Sequence, residues 1–388
     1  CMLACGNEPS GRWVAWVSKF VDYWKATDPR RVYTGASVGN SWQWQPHNEY
    51  HVKAGARGLS WAGAQPESES DYRARIDTVK QPYVSHETGQ WCVFPNFNEI
   101  RKYTGVNKAK NFEIFRDILN DNHMGSQSHD FMMASGKLQA LCYKHEIEKT
   151  LRTPDYAGFQ LLALNDYSGQ GTALVGVLDV FFEEKGYINA EQFRRFCSPT
   201  VPLARIPKFV YANNETFHAD IEVSHFGAAP LESAKTVYTI KDKFGKVYAH
   251  GTVGTHHIPI GNLYSLGSVD MTLEGIDTQQ KLNLEVRIEG CDAVNDWDFW
   301  VYPAQVELVQ GTVYTTDTLD AKALAVLQDG GNVLITAAGK IQYGKEVKQY
   351  FTPVFWNTSW FKMRPPHTTG IFLNEYHPLF REFPTEYH

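Results

Sequence analysis

Residues 81–89 read QPYVSHETG, an apolar run that begins after a proline and closes on His86 and Glu87. An acid that ends an otherwise apolar strand is costly unless it is used or paired. The neighbouring segments decide what kind of strand this is. Downstream, NKAKNFEIFRDILNDN (107–122) spaces Phe112, Phe115 and Leu119 as one helical face. SGKLQALCYKHEIEKTLRT (135–153) does the same with Leu138, Leu141, Cys142 and His145. AGFQLLALNDYSG (157–169) is then a second apolar strand ending in polar groups, Asn165-Asp166-Tyr167. Strand, helix, strand in this order predicts parallel β-strands joined by crossover helices.

The same rhythm extends upstream. The first residues, CMLACGNEPSG, read as a buried apolar strand that runs into Asn7-Glu8-Pro9. GRWVAWVSKFVDYWKATDP (11–29) places Trp13, Val17, Phe20 or Val21, and Trp24 on one helical face, stopped by Asp28-Pro29. A strand-like RVYTGAS (31–37) follows, and then a Trp-rich loop, NSWQWQPHN (40–48). Either EYHVK (49–53) or RGLSW (57–61) supplies the next short strand, and DYRARIDTVK (71–80) is a helix.

Beyond Pro202 the texture changes. FHADIEVSHF (217–226) alternates with period two, and TVYTIKDKFGKVYAHGTV (236–253) reads as a hairpin. SVDMTLEG, KLNLEVRIEG and DWDFWVYP follow at the spacing of an all-β sandwich. From about residue 306, DTLDAKALAVLQDGG is a helix with a glycine stop and NVLITAAG a buried strand, which predicts a small α/β unit. Three regions result: 1–200, 201–305 and 306–388.

Composition narrows the function classes. A formal net charge of −6 gives no reason to expect nucleic acid or an anionic membrane as partner. No apolar run approaches the roughly 20 residues that span a bilayer, so membrane insertion is not expected. Six cysteines are scattered without a CxxC pair or a histidine at ligand spacing, so neither a zinc site nor a disulfide scaffold is predicted. Aromatic residues reach 14% with 11 tryptophans. Such rings fill cores, and they also stack on the apolar face of a pyranose.

Three strand ends carry the candidate chemistry: Asn7-Glu8, His86-Glu87 and Asn165-Asp166. In a parallel barrel the C-terminal strand ends converge on one face, where catalysis is built. Glu8 and Glu87 lie 79 residues apart, and a (β/α)8 barrel uses about 31 per unit, so two or three units separate them. Two such carboxylates suit glycosidic bond cleavage, one protonated to donate a proton and the other ionised to attack. Each residue also has a plainer reading. Glu8 before Pro9 serves as a helix-entry residue, His86 as a satisfied core histidine, and Asp166 as the cap of a turn before Gly169.

GNEP, PYVSHETGQWCVFPNF and AGFQLLALNDYSGQGTALVGVLD together resemble glycoside hydrolase family 2, in particular the β-galactosidase-like members of gut Bacteroidetes. The resemblance runs through essentially the whole chain. It implies a multidomain α/β chain: a TIM-barrel portion, about strands 4–8, over 1–200, an immunoglobulin-like sandwich over 201–305 and a partial α/β unit over 306–388. Glu8 then corresponds to the general acid/base and Glu87 to the nucleophile of a retaining exo-β-glycosidase. Asn7, Trp42, His51, His86, Asn165 and Asp166 would contact the sugar, with EYHVK as strand 6. Neither metal nor cofactor is implied. The implied partner is an oligosaccharide or other glycoside, and the implied location is periplasmic or secreted. Thr88 and Leu162 stand where the family usually has aromatics, so the sugar does not transfer with the family name. β-Glucuronides and β-mannosides stay open, as does a carbohydrate-binding relic without turnover. The resemblance also implies that strands 1–3 and further β-sandwich domains lie upstream and that the C-terminus is cut. A missing half-barrel, or a self-associated copy, would then complete the barrel.

Overall fold

The computed structural model describes residues 2–59, 64–167, 171, 173–307, 311–340, 353–356 and 369–388. β1 (Met2–Asn7) pairs in parallel with β2 (Val32–Ser37), Met2 opposite Val32 and Asn7 opposite Ser37. One bridge, Val38 to Lys53, joins β2 to β3 (His51–Lys53). β3, β4 (Tyr83–Thr88) and β5 (Tyr156–Leu161) then follow side by side, again parallel. Five strands thus lie in chain order, each joined to its parallel neighbour by a crossover connection. Among the described residues they form an open arc and no closed barrel.

The crossovers explain the order. α1 (Trp13–Thr27) lies on β2 through buried Val17 and Val21. It sits so close that a Cβ at Gly35 would stand 2.6 Å from Val17 Cγ2. Only four residues of DYRARIDTVK are helical, as α2 (Arg73–Ile76). α3 (Lys110–Asp121) and α4 (Ser128–Leu151) join β4 to β5. The Trp-rich loop does the work of a longer neighbouring strand. The Gln45 side chain exchanges hydrogen bonds with the backbone of Ala36, and Asn48 accepts from the Gly35 amide. β2 therefore needs only one bridge to β3. EYHVK contributes that strand; Arg57–Leu59 are not strand, and Ser60 and Trp61 lie outside the described residues.

Two strands expected to be buried are partly exposed because the arc is open. β1 was expected to be buried, yet Met2 and Leu3 are exposed, because among the described residues β1 pairs on one side only. The strand of AGFQLLALND is likewise mostly partly exposed as β5, an edge among the described residues, and ends at Leu161. Trp24 and Leu141 are also more exposed than their helical faces predict.

After α5 (Ala190–Arg194), closed at its start by a reciprocal Asn189–Gln192 capping box, the sandwich begins. One sheet has the order β11 (Gly261–Thr272), β8 (Thr216–His225), β6 (Thr200–Arg205). The other has β10 (Val247–Ile258), β9 (Leu231–Asp242), β12 (Gln280–Ile288), β13 (Val294–Tyr302), β7 (Val210–Ala212). Their inner faces share one core, in which Phe217 stacks on Phe299 at 4.1 Å.

The last region forms a β-α-β unit: β14 (Val313–Thr316), α6 (Ala321–Gln328) and β15 (Asn332–Ile335), with β14 and β15 parallel. Asp320 caps α6 by accepting from the Ala323 amide at 2.7 Å. β15 was expected to be buried. Leu334 and Ile335 are exposed instead, since β14 is its only partner strand among the described residues. Two later stretches reach back. Within 369–388, Phe372 packs edge-on to Phe131 of α4, while Pro384 and Glu386 reach the outer face of β12 and β13, where Trp300 donates to the Pro384 carbonyl and Lys281 pairs with Glu386. Residues 353–356 run along 90–92, with Cys92 donating to the Val354 carbonyl at 3.0 Å and Trp356 to that of Gln90 at 2.7 Å.

Candidate active site

β1 and β4 place Glu8 and His86-Glu87 at the same end of the arc, because all its strands are parallel. Ligand atoms of Glu8, His86 and Glu87 all lie within 4.8 Å of one another. Glu8 follows β1 directly and donates its amide to the Ser37 carbonyl at 2.9 Å. Its side chain is exposed. Glu87 is more enclosed, with its side chain 26% exposed. The side-chain amide of Gln90 donates to one carboxylate oxygen of Glu87 at 3.1 Å, and His86 Nε2 stands 3.5 Å from the other. The other nitrogen of His86 lies 3.4 Å from the Gln160 side chain on β5.

Both glutamates have left-handed backbones, with φ of 44° at Glu8 and 53° at Glu87. A side chain other than glycine rarely adopts this region, at a cost of about 1–3 kcal/mol. Such strain persists only where the surroundings over-determine it, and it clusters at functional sites. Here it falls on the two acids that meet, and also on His123, Asp155, Phe182, Ser233, Leu263 and Trp356.

Trp42 belongs to the same surface. A Cβ placed on Gly39 would touch the Trp42 ring at 3.1 Å and the Glu8 carboxylate at 3.6 Å. The glycine therefore lets the ring and the acid flank one point. Trp13 of α1 packs against Trp42 with ring centres 5.8 Å apart. Lys53 fixes the loop from below, donating to the carbonyls of Trp42 at 2.5 Å and Gly39 at 3.2 Å. Burial holds this lysine below its ordinary range. Asn7 is exposed at the end of β1, next to Glu8.

The other expected contacts lie elsewhere. His51 is buried beside Asn48, its ring edge-on to Trp44 at 4.9 Å, and burial pushes its imidazole below the ordinary range. It is a core histidine outside the carboxylate cluster. Asp166 is 1% exposed and turns onto Lys185 at 2.6 Å, while its other oxygen accepts from the Gly176 amide at 2.9 Å. Its lone pairs serve the fold. Asn165 donates to the carbonyl of Asp166 and bridges to Leu178. The turn-cap alternative for Asp166 involves Gly169, which lies outside the described residues.

Gln90, Gln160, Arg57 and Lys53 were not anticipated. Gln160 carried a signal, a polar residue inside an apolar strand. Gln90 did so more weakly, three residues past Glu87. Arg57 and Lys53 carried none, because their partners are backbone carbonyls. No metal-ligand cluster was expected either. The fold nevertheless gathers two carboxylates and an imidazole, a donor set that divalent cations accept.

Two family models match the chain, both described as domains of unknown function. DUF8488 covers residues 215–303 and DUF8487 residues 314–388. No curated protein matches. Among solved structures, β-glucuronidase 3 of Bacteroides uniformis is similar at 13% identity over 81% of this chain and 38% of its own, with a TM-score of 0.30. A β-glucuronidase of Parabacteroides merdae gives 11%, 80%, 37% and 0.30. An endo-β-1,4-mannanase of Thermotoga petrophila gives 12%, 79%, 65% and 0.26. The chain thus spans less than two thirds of each. Likeness at this level carries no function, which has to come from the site.

Proposed function

We propose that Glu8 and Glu87 are the catalytic pair of a retaining exo-β-glycosidase of the family 2 type. One observation carries this reading: an oxygen of Glu8 lies within 4.8 Å of an oxygen of Glu87. Retaining pairs stand about 5–5.5 Å apart, whereas inverting pairs need about 6.5–9.5 Å to admit a water. Environment divides the roles. Glu87, held by Gln90 beside His86, suits the nucleophile, which must meet the anomeric carbon in fixed geometry. Glu8, exposed, suits the acid/base, which exchanges its proton with water between steps.

The reaction is double displacement. Glu87 attacks the anomeric carbon while Glu8 protonates the departing oxygen, giving a glycosyl ester on Glu87. Glu8 then takes a proton from water, the water attacks the same carbon, and Glu87 leaves. Trp42 offers a ring for the sugar face and Asn7 an amide for a hydroxyl. The chemistry requires no cofactor.

On this reading the five arc strands are strands 4–8 of a (β/α)8 barrel. The unpaired edges of β1 and β5 would be covered by an N-terminal half-barrel or a second copy of this chain. The sugar is β-galactoside-like, with β-glucuronide and β-mannoside as alternatives, and the location is periplasmic or secreted. The open arc favours one further reading, a carbohydrate-binding piece without turnover.

Chromogenic β-galactosides, β-glucuronides and β-mannosides, given to the 388-residue chain and to a version extended by any upstream region, separate these. Turnover with a β-configured first product is expected, and Glu87→Gln should lower kcat by about 10³-fold or more. Turnover that survives Glu87→Gln, or an inverted first product, overturns the assignment. Binding without turnover in every version leaves the relic.

A further inference from the structure

Successive carbonyls of an extended strand point to opposite sides. At the end of β4 they do not. The carbonyls of His86, at 2.6 Å, and of Glu87 both accept from a single guanidinium nitrogen of Arg57. This is possible because Glu87 is left-handed, which turns its carbonyl back beside that of His86. The pairing of β4 with β5 breaks at the same place, between Ser85 and Thr88.

A second group pins the loop that carries Arg57. Glu146 of α4 is 1% exposed and accepts from the Gly58 amide at 2.6 Å with one oxygen. With the other it accepts from the Gly89 amide at 3.2 Å and from the Trp91 indole at 2.8 Å. Residues 57–58 and 87–91 are thus stapled together from behind by one buried carboxylate. Gly89 is left-handed too, with φ of 77°, and a Cβ there would meet the Tyr143 ring at 2.0 Å. Phe355, from the returning C-terminal stretch, lies under the Arg57 guanidinium at 5.7 Å.

We infer that Arg57 and Glu146 are positioning residues that hold Glu87 in its strained backbone conformation and so aim its carboxylate at Glu8. Neither is required to touch substrate. Arg57 acts on Glu87 through two carbonyls, and Glu146 acts by keeping the Arg57 loop against the Gly89 turn. The catalytic part of this claim rests on the glycosidase reading, and the conformational part does not.

Arg57→Ala, Arg57→Lys and Glu146→Gln test it, read by amide hydrogen exchange over 84–91 and by steady-state kinetics on the turned-over glycoside. Arg57→Ala is expected to speed exchange in this segment at least tenfold, with exchange in the sandwich unchanged. It should lower kcat 10- to 100-fold with KM within threefold, and added guanidinium should restore part of the loss. Arg57→Lys keeps a cation and should fall between. Glu146→Gln retains one acceptor for two sites and should loosen 57–58 and 87–91 together. Unchanged exchange over 84–91 in Arg57→Ala overturns the clamp, even if the wild type is an active glycosidase. Faster exchange in a protein that turns over no glycoside keeps the clamp and removes the glycosidase reading. If Arg57→Ala does not fold, Arg57→Lys decides, because exchange and kcat equal to wild type would leave the guanidinium no role.

Discussion

Strands β13 of the sandwich and β4 of the arc bury their residues by different rules. β13 alternates strictly: Asn295, Trp297, Phe299 and Val301 point inward, while the residues between them are partly exposed. β4 buries Tyr83, Val84, Ser85 and His86 in succession. A strand covered on one face announces its inner side by period two, whereas a parallel strand covered on both faces does not. Polar residues on a strand like β4 must then be explained one by one. The contrast extends to whole regions. The sandwich has a single large apolar core, while the arc has several small clusters interleaved with buried Ser85, His86, Gln90, Glu99, Gln139, Glu146 and Asp166. The sandwich spends its interior on packing, and the arc spends much of its interior on hydrogen bonds that shape a surface.

The contrast can be broken from either side. Phe299→Ala, which removes a fully buried ring stacked on Phe217, should cost about 3–5 kcal/mol in urea unfolding of the sandwich. A loss below about 1 kcal/mol would mean that this core is not tightly packed. In the arc, Lys185→Met leaves Asp166 buried without its partner and should cost about 3 kcal/mol. Combining it with Asp166→Asn, which keeps the acceptor for the Gly176 amide, should recover part of that loss. Equal loss in the single and double variants would show that charge is not what this pair contributes.

Glu99 gives the smallest effect and a pH signature. It is fully buried, its carboxylate has no hydrogen-bond partner among the described residues, and burial pushes it up to about 7, with Asp166 adding to the shift. The native state therefore keeps this proton after the unfolded chain has released it. Stability falls as pH rises from the ordinary carboxyl range to about 7, and the full penalty applies above that. Glu99→Gln should flatten this slope and stabilise the protein at pH 8 by about 1–2 kcal/mol. Parallel stability–pH curves for wild type and variant would refute the shift.

These differences also explain what the sequence made legible. The sandwich strands follow period-two patterns, and their sequence runs fall on β8 to β13. The two acids that meet were legible because each closes an apolar run, Glu8 after MLACGN and Glu87 after YVSH. Asp166 also stands near a strand end, and His51 entered through the family resemblance alone; the structure turns both side chains away from the two acids. Their partners, Asn48 and Lys185, give no sign in the sequence that they will turn those side chains inward. Arg57 stayed invisible because what it binds is backbone, and Glu146 because its partners, two amides and the Trp91 indole, lie far from it in the chain. The exposure of β1 and β5 follows from the open arc, a property of the sheet that no single strand reveals.

The central claim is that Glu87 forms a covalent bond to sugar, and trapping that ester tests it most directly. An activated 2-deoxy-2-fluoro-β-glycoside of the sugar that is turned over should add one fluoroglycosyl mass to the protein. Peptide mapping should place it on Glu87, and Glu87→Gln should prevent labelling. A label on any other residue, or labelling that persists in Glu87→Gln, would contradict the account.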